Sequence, residues 1–256
     1  MIDDIIERPV VAIDNVIWTY QEETKKIQIL LVKKSEAPFK NYWGLPETFL
    51  RVTEDADEAA LRLIRDKIGI QLTKFHTEQL KTFTNRNRFV NNAVRHLSLA
   101  YMTFLPGAPK LVPGYGAKDA RWFDVSFAND DNYNLIYGQY RFETVSEYTN
   151  DEQFYAQNKH DLPENQRLAF DHRLILKEAF IRVRNKLDYA PSILHILGHH
   201  FTLRTAREVY AVFLRVSYQE IDNSNFRKTH AHIFEEVGIE PTGMKGRPAK
   251  LYRLKR

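Results

Sequence analysis

Cysteine is absent from all 256 residues of the chain. Its absence excludes disulfides and thiolate metal sites and fits a reducing compartment, so a cytoplasmic location is expected. Also missing is any run of 18 uncharged apolar residues, which leaves no candidate for a membrane-spanning helix. The opening residues, MIDDIIERPVVAID, carry early acids in place of a basic n-region, so no secretory leader is expected. There is no internal repeat, no Ser-His-Asp signature and no glycine-rich phosphate loop. His195 and His199 stand at i, i+4, but Gly198 falls between them and no third ligand is apparent. His230 and His232, at i, i+2, cannot face one ligand from a helix. On these grounds no metal site is expected, and nothing in the sequence asks for a cofactor.

What is present suffices for one or two packed cores: 43% of the residues are apolar and 12% aromatic. Charge is placed unevenly. From Leu168 to Arg256 there are 16 Lys and Arg against 9 Asp and Glu, a net of +7. Taken from chain totals of 37 and 33, residues 1–167 keep 21 bases and 24 acids, a net of −3. A basic final third behind a mildly acidic front points to two units, the second meeting a polyanion. A merely solvated basic tail is the alternative.

Hydrophobic spacing divides the chain in the same way. Strands are predicted over Val10 to Trp18 and Ile27 to Lys33, joined by a polar hairpin loop, and then over Leu80 to Phe83, Ala93 to Leu105 and Ala120 to Val125. Between them, a loop around Pro38 and Pro46 holds Trp43. Asp57 to Ile68 has helical spacing and stops at Gly69. The front is therefore mixed α/β. Asn129 to Gln166 is rich in Asn, Asp, Gln and Tyr, with few aliphatics, and reads as an irregular insertion or linker. From Leu168 the pattern turns helical. Leu176, Ala179, Phe180, Val183 and Leu187 make one face of a helix ending near Asp188. Thr202 or Thr205 can cap the next helix, which buries Ala206, Val209, Tyr210 and Phe213; Thr205 and Glu208 have capping-box spacing. Asp222 can cap a third, with Phe226, Thr229 and Ile233 inward. Short strands are predicted at Ile239 to Thr242 and Lys250 to Leu254.

Helix, turn, helix and a basic two-stranded hairpin come in the order of a winged helix. On the second helix of this motif Ser224, Arg227, Lys228 and Ala231 lie opposite the apolar face, and Asn223, Ser224 and Asn225 open it. Such side chains can reach groove edges and phosphates, and the first-turn N–H groups favour a phosphate. The loop MKGRPAK offers Lys245, Arg247 and Lys250 as a wing. The candidate DNA-binding residues are thus Asn223, Ser224, Asn225, Arg227, Lys228, Lys245, Arg247 and Lys250. A small helical bundle with a solvated charged face, or a protein-docking module, would look similar.

In the front unit, Trp43-Gly44-Leu45-Pro46-Glu47-Thr48-Phe49-Leu50 is followed by Glu54, Arg62, Ile64, Gly69 and Ile70. This resembles the Nudix box and its lead-in, set from Thr48 to Ile70 without a gap. Thr48 replaces the opening glycine, and Glu47 and Thr48 replace the paired glycines of the lead-in, so a phosphate is expected to approach that backbone less closely. The three helical glutamates fall on Leu63, Asp66 and Lys67. Residues at i, i+3 and i+4 share a helix face, where three carboxylates gather divalent cations that bridge a pyrophosphate. Here Leu63 offers no oxygen and Lys67 offers a positive charge; Asp66 alone remains. The fold is expected to be kept and the hydrolysis lost.

A degenerate Nudix domain followed by a winged helix resembles the NrtR-type Nudix-related transcriptional regulators. RLAFDH at 167–172, FTLRTAREVYAVF at 201–213, IDNSNFRKT at 221–229 and GRPAKLYRL at 246–254 are similar to that family in order and spacing. The resemblance implies a dimeric repressor or activator of metabolic genes, with an effector such as ADP-ribose or a sugar altering the hold of the winged helices on operator DNA. The expected architecture is an α/β Nudix-like effector-binding domain, a mixed sheet with helices, at 1–128, an insertion or linker at 129–167, and a winged helix-turn-helix domain at 168–256. The expected partners are double-stranded operator DNA, a small-molecule effector and a second copy of the chain, with no membrane. Candidate effector-binding residues are Trp43, Glu54, Arg88 and Arg95, with a surface-strand charge as the alternative for Arg95. Two other functions remain open: a Nudix hydrolase acting on ADP-ribose-like pyrophosphates through Glu54 and Asp66, and a protein-docking adaptor.

Overall fold

The computed structural model describes residues 9–70, 76–88, 94–127, 131–157, 166–240 and 248–255. Its frame is a nine-stranded sheet. The strands are β1 (Val10–Gln21), β2 (Lys26–Lys34), β3 (Trp43–Gly44), β4 (Glu47–Phe49), β5 (His76–Phe83), β6 (His96–Leu105), β7 (Ala117–Phe127), β8 (Tyr133–Tyr137) and β9 (Tyr140–Glu143). The main order is β5-β6-β1-β2-β7-β8-β9, with β3 on β2 and β4 on β1. β1 and β6 run parallel over ten pairs, Val10 with His96 to Thr19 with Leu105. The other pairings are antiparallel.

Alternation along the strands decides which layer covers which face. Ile17, Leu30 and Val32 pack with Ile64 and Ile68 of helix α1 (Ala56–Ile68). Val16, Trp18, Ile29 and Leu31, one residue out of step, join the opposite and larger core. That core is shared with helix α3 (His172–Lys186), a short 3-10 helix at Ser192–Leu197, and helix α4 (Leu203–Leu214). Trp18 meets Phe180 edge-on at 5.0 Å, and Tyr133 stacks on Phe180 at 3.9 Å. The basic C-terminal unit therefore lies directly on the sheet, with one continuous apolar core between them.

The segment expected to be irregular, 129–167, is corrected by β8, β9 and helix α2 (Asp151–Gln157). The hairpin turns at Gly138, φ 54, and extends the main sheet beyond β7. Its polar composition hid the pattern: Tyr133, Leu135 and Phe142 supply buried positions with only one aliphatic among them.

In the C-terminal unit, Thr202 is the N-cap of α4 and accepts a bond from Thr205 N–H, which settles the choice between the two threonines. Asp222 caps helix α5 (Asn223–Thr229) through Asn225 N–H. That helix is shorter than expected. Thr229 is exposed, not inward, and His230 takes the buried place near Phe226. Strands β10 (Phe201–Thr202), β11 (Phe234–Ile239) and β12 (Lys250–Leu254) form a separate antiparallel sheet, the wing.

Candidate functional site

Helix α1 keeps the box residues that build the loop–helix–loop unit. The Arg62 guanidinium grips Glu54 through two bonds of 2.7 and 2.6 Å and also donates to Thr48 Oγ1 and Phe49 O. Arg51 N–H adds a bond to Glu54, and these contacts hold the Glu54 carboxyl down at about 2. Ile64 packs in the core, and Gly69 ends the helix at φ 67, a conformation suited to glycine. Ile70 joins Ile64 in that core, so every retained residue has a structural task.

The residues that replace the helical glutamates are placed differently. Leu63 is fully buried. Asp66 faces Arg62 at 3.9 Å and Arg65 at 3.2 Å. Lys67 directs its ammonium to Tyr115 O. With Glu54 clasped by Arg62 as well, this donor set does not suit the divalent cation that the box otherwise gathers.

Lys67 opens into a cleft of about 370 Å³. Asp14 of β1, Lys34 of β2 and Glu47 of β4 form its floor, and Phe170 and His172, at the entry to α3, close one side. Lys34 Nζ lies 2.8 Å from Glu47 Oε1 and donates to Leu45 O. His172 Nε2 lies 3.3 Å from Asp14 Oδ1 and 3.6 Å from Glu47 Oε2, while Leu45 N–H donates to Nδ1 at 2.9 Å. Burial pushes the Glu47 carboxyl up, but Lys34 and His172 outweigh it and hold it at about 2. Burial pulls His172 down and the two carboxylates push it up, with a net rise; the Leu45 N–H works against that rise, because a protonated Nδ1 would face it.

Candidate ligand atoms of Asp14, Glu47 and His172 lie within 4.8 Å of one another. They too suit a metal poorly. With Leu45 N–H on Nδ1, the network assigns the imidazole proton to Nε2, the atom that would have to ligate. Lys34 and Arg88 already face the two carboxylates, Arg88 Nη2 at 3.8 Å from Asp14.

Of the four residues expected to meet an effector, Arg88 lines the cleft, but its guanidinium is bound to Asp171. Arg95 is exposed and donates to Thr84 O, outside the cleft lining. Trp43 is buried against Phe123 and Tyr140 and does not line the cleft. Glu54 is held by Arg62 beyond its edge. Sequence reasoning missed Asp14, Lys34, Glu47 and His172 as one group. The sole hint was the FDH of residues 170–172 at the start of a helix, and only the fold brings it to β1 and β4.

On the second unit, Asn223, Ser224, Asn225, Arg227 and Lys228 are all exposed on α5, and Phe226 is buried against Tyr210. Arg207 of α4 braces Asn223 and donates to Tyr218 O. Lys250 on β12 pairs with Glu236 at 2.8 Å. Lys245 and Arg247 lie outside the described residues.

A mixed sheet clasping a Glu54–Arg62 loop–helix, with a winged helix packed on its far face, defines a two-unit sensor-like architecture. The chain belongs to the NUDIX family, whose domain model matches residues 11–140. Residues 193–254 match the NrtR DNA-binding winged helix domain, so within that family the chain is of the NrtR type. It is 25% identical over 252 residues to an ADPR responsive transcriptional repressor, NtrR, of Acinetobacter baylyi, covering 96% of this chain and 82% of that protein. A MutT/nudix family protein from Enterococcus faecalis has a similar structure, with a TM-score of 0.82, 30% identity, and coverage of 97% of this chain and 87% of that one. NrtR of Shewanella oneidensis, in complex with a 27mer DNA, shares the fold at a TM-score of 0.66 and 24% identity, covering 96% and 93% of the two chains.

Proposed function

We propose that this chain is a DNA-binding transcriptional regulator whose Nudix unit senses a small metabolite, an ADP-ribose-like nucleotide or a sugar, without hydrolysing it. The observation that carries this reading is Lys67. An ammonium stands in the cleft where the metal-binding helix face would offer a carboxylate, and its charge disfavours the cation that would activate water. The same cleft is walled by Phe170 and His172, which lead into α3, and α3 carries the winged helix. A ligand that binds one arrangement of residues 170–172 better than another shifts the winged helix with it.

Operator DNA is read by α5 and the wing, with Asn223, Ser224, Asn225, Arg227, Lys228, Lys245, Arg247 and Lys250 as the contacting residues. One short helix reads a short half-site, so the working unit is a homodimer on a near-palindromic operator, in the cytoplasm. The sensor occupies residues 1–128 and the DNA-binding unit 168–256, and the hairpin in 129–167 serves as the sensor's edge and its bridge to α3.

The test measures binding to fragments of the protein's own promoter region with and without ADP-ribose, alongside AMP release with Mg²⁺ or Mn²⁺. Tight binding that the metabolite changes, with no AMP released, is the expected result. Steady metal-dependent AMP release abolished by Asp66→Ala would replace the regulator reading with that of a hydrolase.

A further inference from the structure

We infer that Arg207 of α4 is a positioning residue for DNA recognition: it turns the side-chain amide of Asn223, the first residue of α5, so that Asn223 meets DNA as a hydrogen-bond donor. This rests on the reading of the chain as a DNA-binding regulator and specifies how α5 recognises its target.

Helix α4 turns Ala206, Val209, Tyr210 and Phe213 into the core, which leaves Arg207 half-buried on its flank and Arg204 exposed one turn earlier. A 3-10 turn at Tyr218–Glu220 joins α4 to α5 and packs on these arginines. Their guanidinium carbons stand 5.7 Å (Arg204) and 5.6 Å (Arg207) from the centre of the Tyr218 ring, within cation–π range. Arg204 is otherwise taken up by Glu208 at 3.0 Å. Arg207 is held from more than one side. Its Nε is buried, its Nη2 donates to Tyr218 O at 3.2 Å, and its Nη1 faces Asn223 Oδ1 at 3.5 Å. The planar fork of an arginine allows the last two contacts at once, whereas a lysine has a single nitrogen to offer.

A guanidinium carries donors and no acceptor, so the atom of the Asn223 amide that faces it is the oxygen. At 3.5 Å the contact is long and adds little stability; its consequence is orientation. With Oδ1 turned to α4, the Nδ2 donors are turned away from it. Asn223 is exposed in the first turn of α5, the part of a recognition helix that meets base edges. Among the described residues, it is the exposed side chain of α5 that is bound to another helix. A donor so presented suits a purine N7, a guanine O6, a thymine O4 or a phosphate oxygen. The bidentate pairing of asparagine with adenine needs the amide oxygen on the same base edge, and that oxygen is turned to Arg207.

The experiment is a fluorescence-anisotropy titration of the full chain against a fragment of its own promoter region and against unrelated DNA of equal length, at two salt concentrations. The variants are Asn223→Ala, Arg207→Lys, Arg207→Gln, and Arg207→Lys combined with Asn223→Ala; thermal melts check that each folds. Asn223→Ala is expected to weaken promoter binding roughly fivefold. Arg207→Lys, which keeps the charge and loses the fork, should weaken it by a similar factor, with the salt slope unchanged. The combined variant should be no weaker than Asn223→Ala alone, because both changes remove the same contact. A loss confined to the promoter fragment assigns the acceptor to a base, and an equal loss on both DNAs assigns it to a phosphate; either supports the inference. Wild-type affinity in Arg207→Lys, with loss and a shallower salt slope in Arg207→Gln, would make Arg207 a simple charge and overturn it. So would wild-type affinity in Asn223→Ala, or losses that multiply in the combined variant, while a wild type that prefers its promoter keeps the regulator reading. A wild type that binds the promoter fragment no better than unrelated DNA would overturn both.

Discussion

Arg88 holds Asp171 across the boundary between the two units: Nη2 donates to Oδ1 at 2.9 Å while Nε reaches Oδ2. Both residues are buried, and Tyr155 OH adds a third bond to Asp171 at 2.6 Å. Burial pushes the Asp171 carboxyl up, but Arg88 outweighs it and the net direction is down. The residue expected to meet a ligand is thus bound instead to the step before α3. Asp171→Ala leaves a guanidinium buried with no carboxylate on that side and is expected to cost about 3–5 kcal/mol. Arg88→Met with Asp171→Leu removes both charges and should recover much of that loss. Urea denaturation of the singles and the double measures it; a single-variant loss under about 1 kcal/mol would show that the pair does not hold the units together.

A second prediction concerns Gly44. A Cβ there would meet His172 Nδ1 at 2.6 Å and Ala169 Cβ at 3.1 Å, so β3 and the entry to α3 approach closely because residue 44 has no side chain. Gly44→Ala is expected to destabilise by about 1–3 kcal/mol through overpacking. Its cost should fall sharply in a His172→Ala background, because the obstructing ring is gone. Additive losses in the double variant would mean that the ring and the glycine do not meet.

Those two contacts also mark how far the sequence alone could be read. The clasp residues Glu54 and Arg62 stand eight apart on a loop and helix, and a local pattern conveys such pairs. The strands around β1 and β2 were legible for the same reason, because a period of two survives in Val16, Trp18, Tyr20 and in Ile27, Ile29, Leu31. The hairpin β8–β9 was not, because tyrosine and phenylalanine do its burying among Asn, Asp and Gln. Thr229, the last residue of α5, was misplaced because the helix ends on it and the buried place beside Phe226 goes to His230 at the C-cap. The cleft was least legible of all. His172 lies 158 positions from Asp14 in sequence and 3.3 Å from it in space, and only the packing of α3 on the sheet joins them.

The contact between the units should respond to acid. His195, in the 3-10 helix ahead of α4, stacks on His76 of β5 at 4.5 Å. Burial, then His76, depress His195 to about 4. Glu78, Lys186, Ser192 and His199 complete its surroundings. A histidine with a lowered folded value is held neutral by the fold. Its contribution is fully present above the unfolded value of about 6.5 and is lost as pH falls from there to about 4. Glu78 is held at about 2, because His76 and Lys186 outweigh burial, so its contribution is lost below the unfolded value of about 4.3. Stability measured by urea midpoint should therefore fall by about 1–3 kcal/mol between pH 6.5 and 4, and His195→Phe should flatten that slope. An unchanged slope in the variant would assign it to other groups.

The last prediction separates DNA contact from folding on the same short helix. Arg227 and Lys228 are exposed on α5, whereas Phe226 between the helix and Tyr210 is 4% exposed. Phe226→Ala should cost about 3–5 kcal/mol of stability and lose DNA binding together with the fold. Arg227→Ala and Lys228→Ala should leave the melt within about 0.5 kcal/mol of wild type, because neither side chain is buried. Their effect belongs on DNA. A residue that meets a base edge should cost about 1–3 kcal/mol on the operator and less on other sequences. One that meets a phosphate should weaken binding evenly and lower the salt slope by about 1. Titrations at two salt concentrations, on a promoter fragment and on unrelated DNA of equal length, distinguish the two roles for each residue. If both folded variants bind with wild-type affinity and wild-type salt dependence, α5 is not the element that reads DNA.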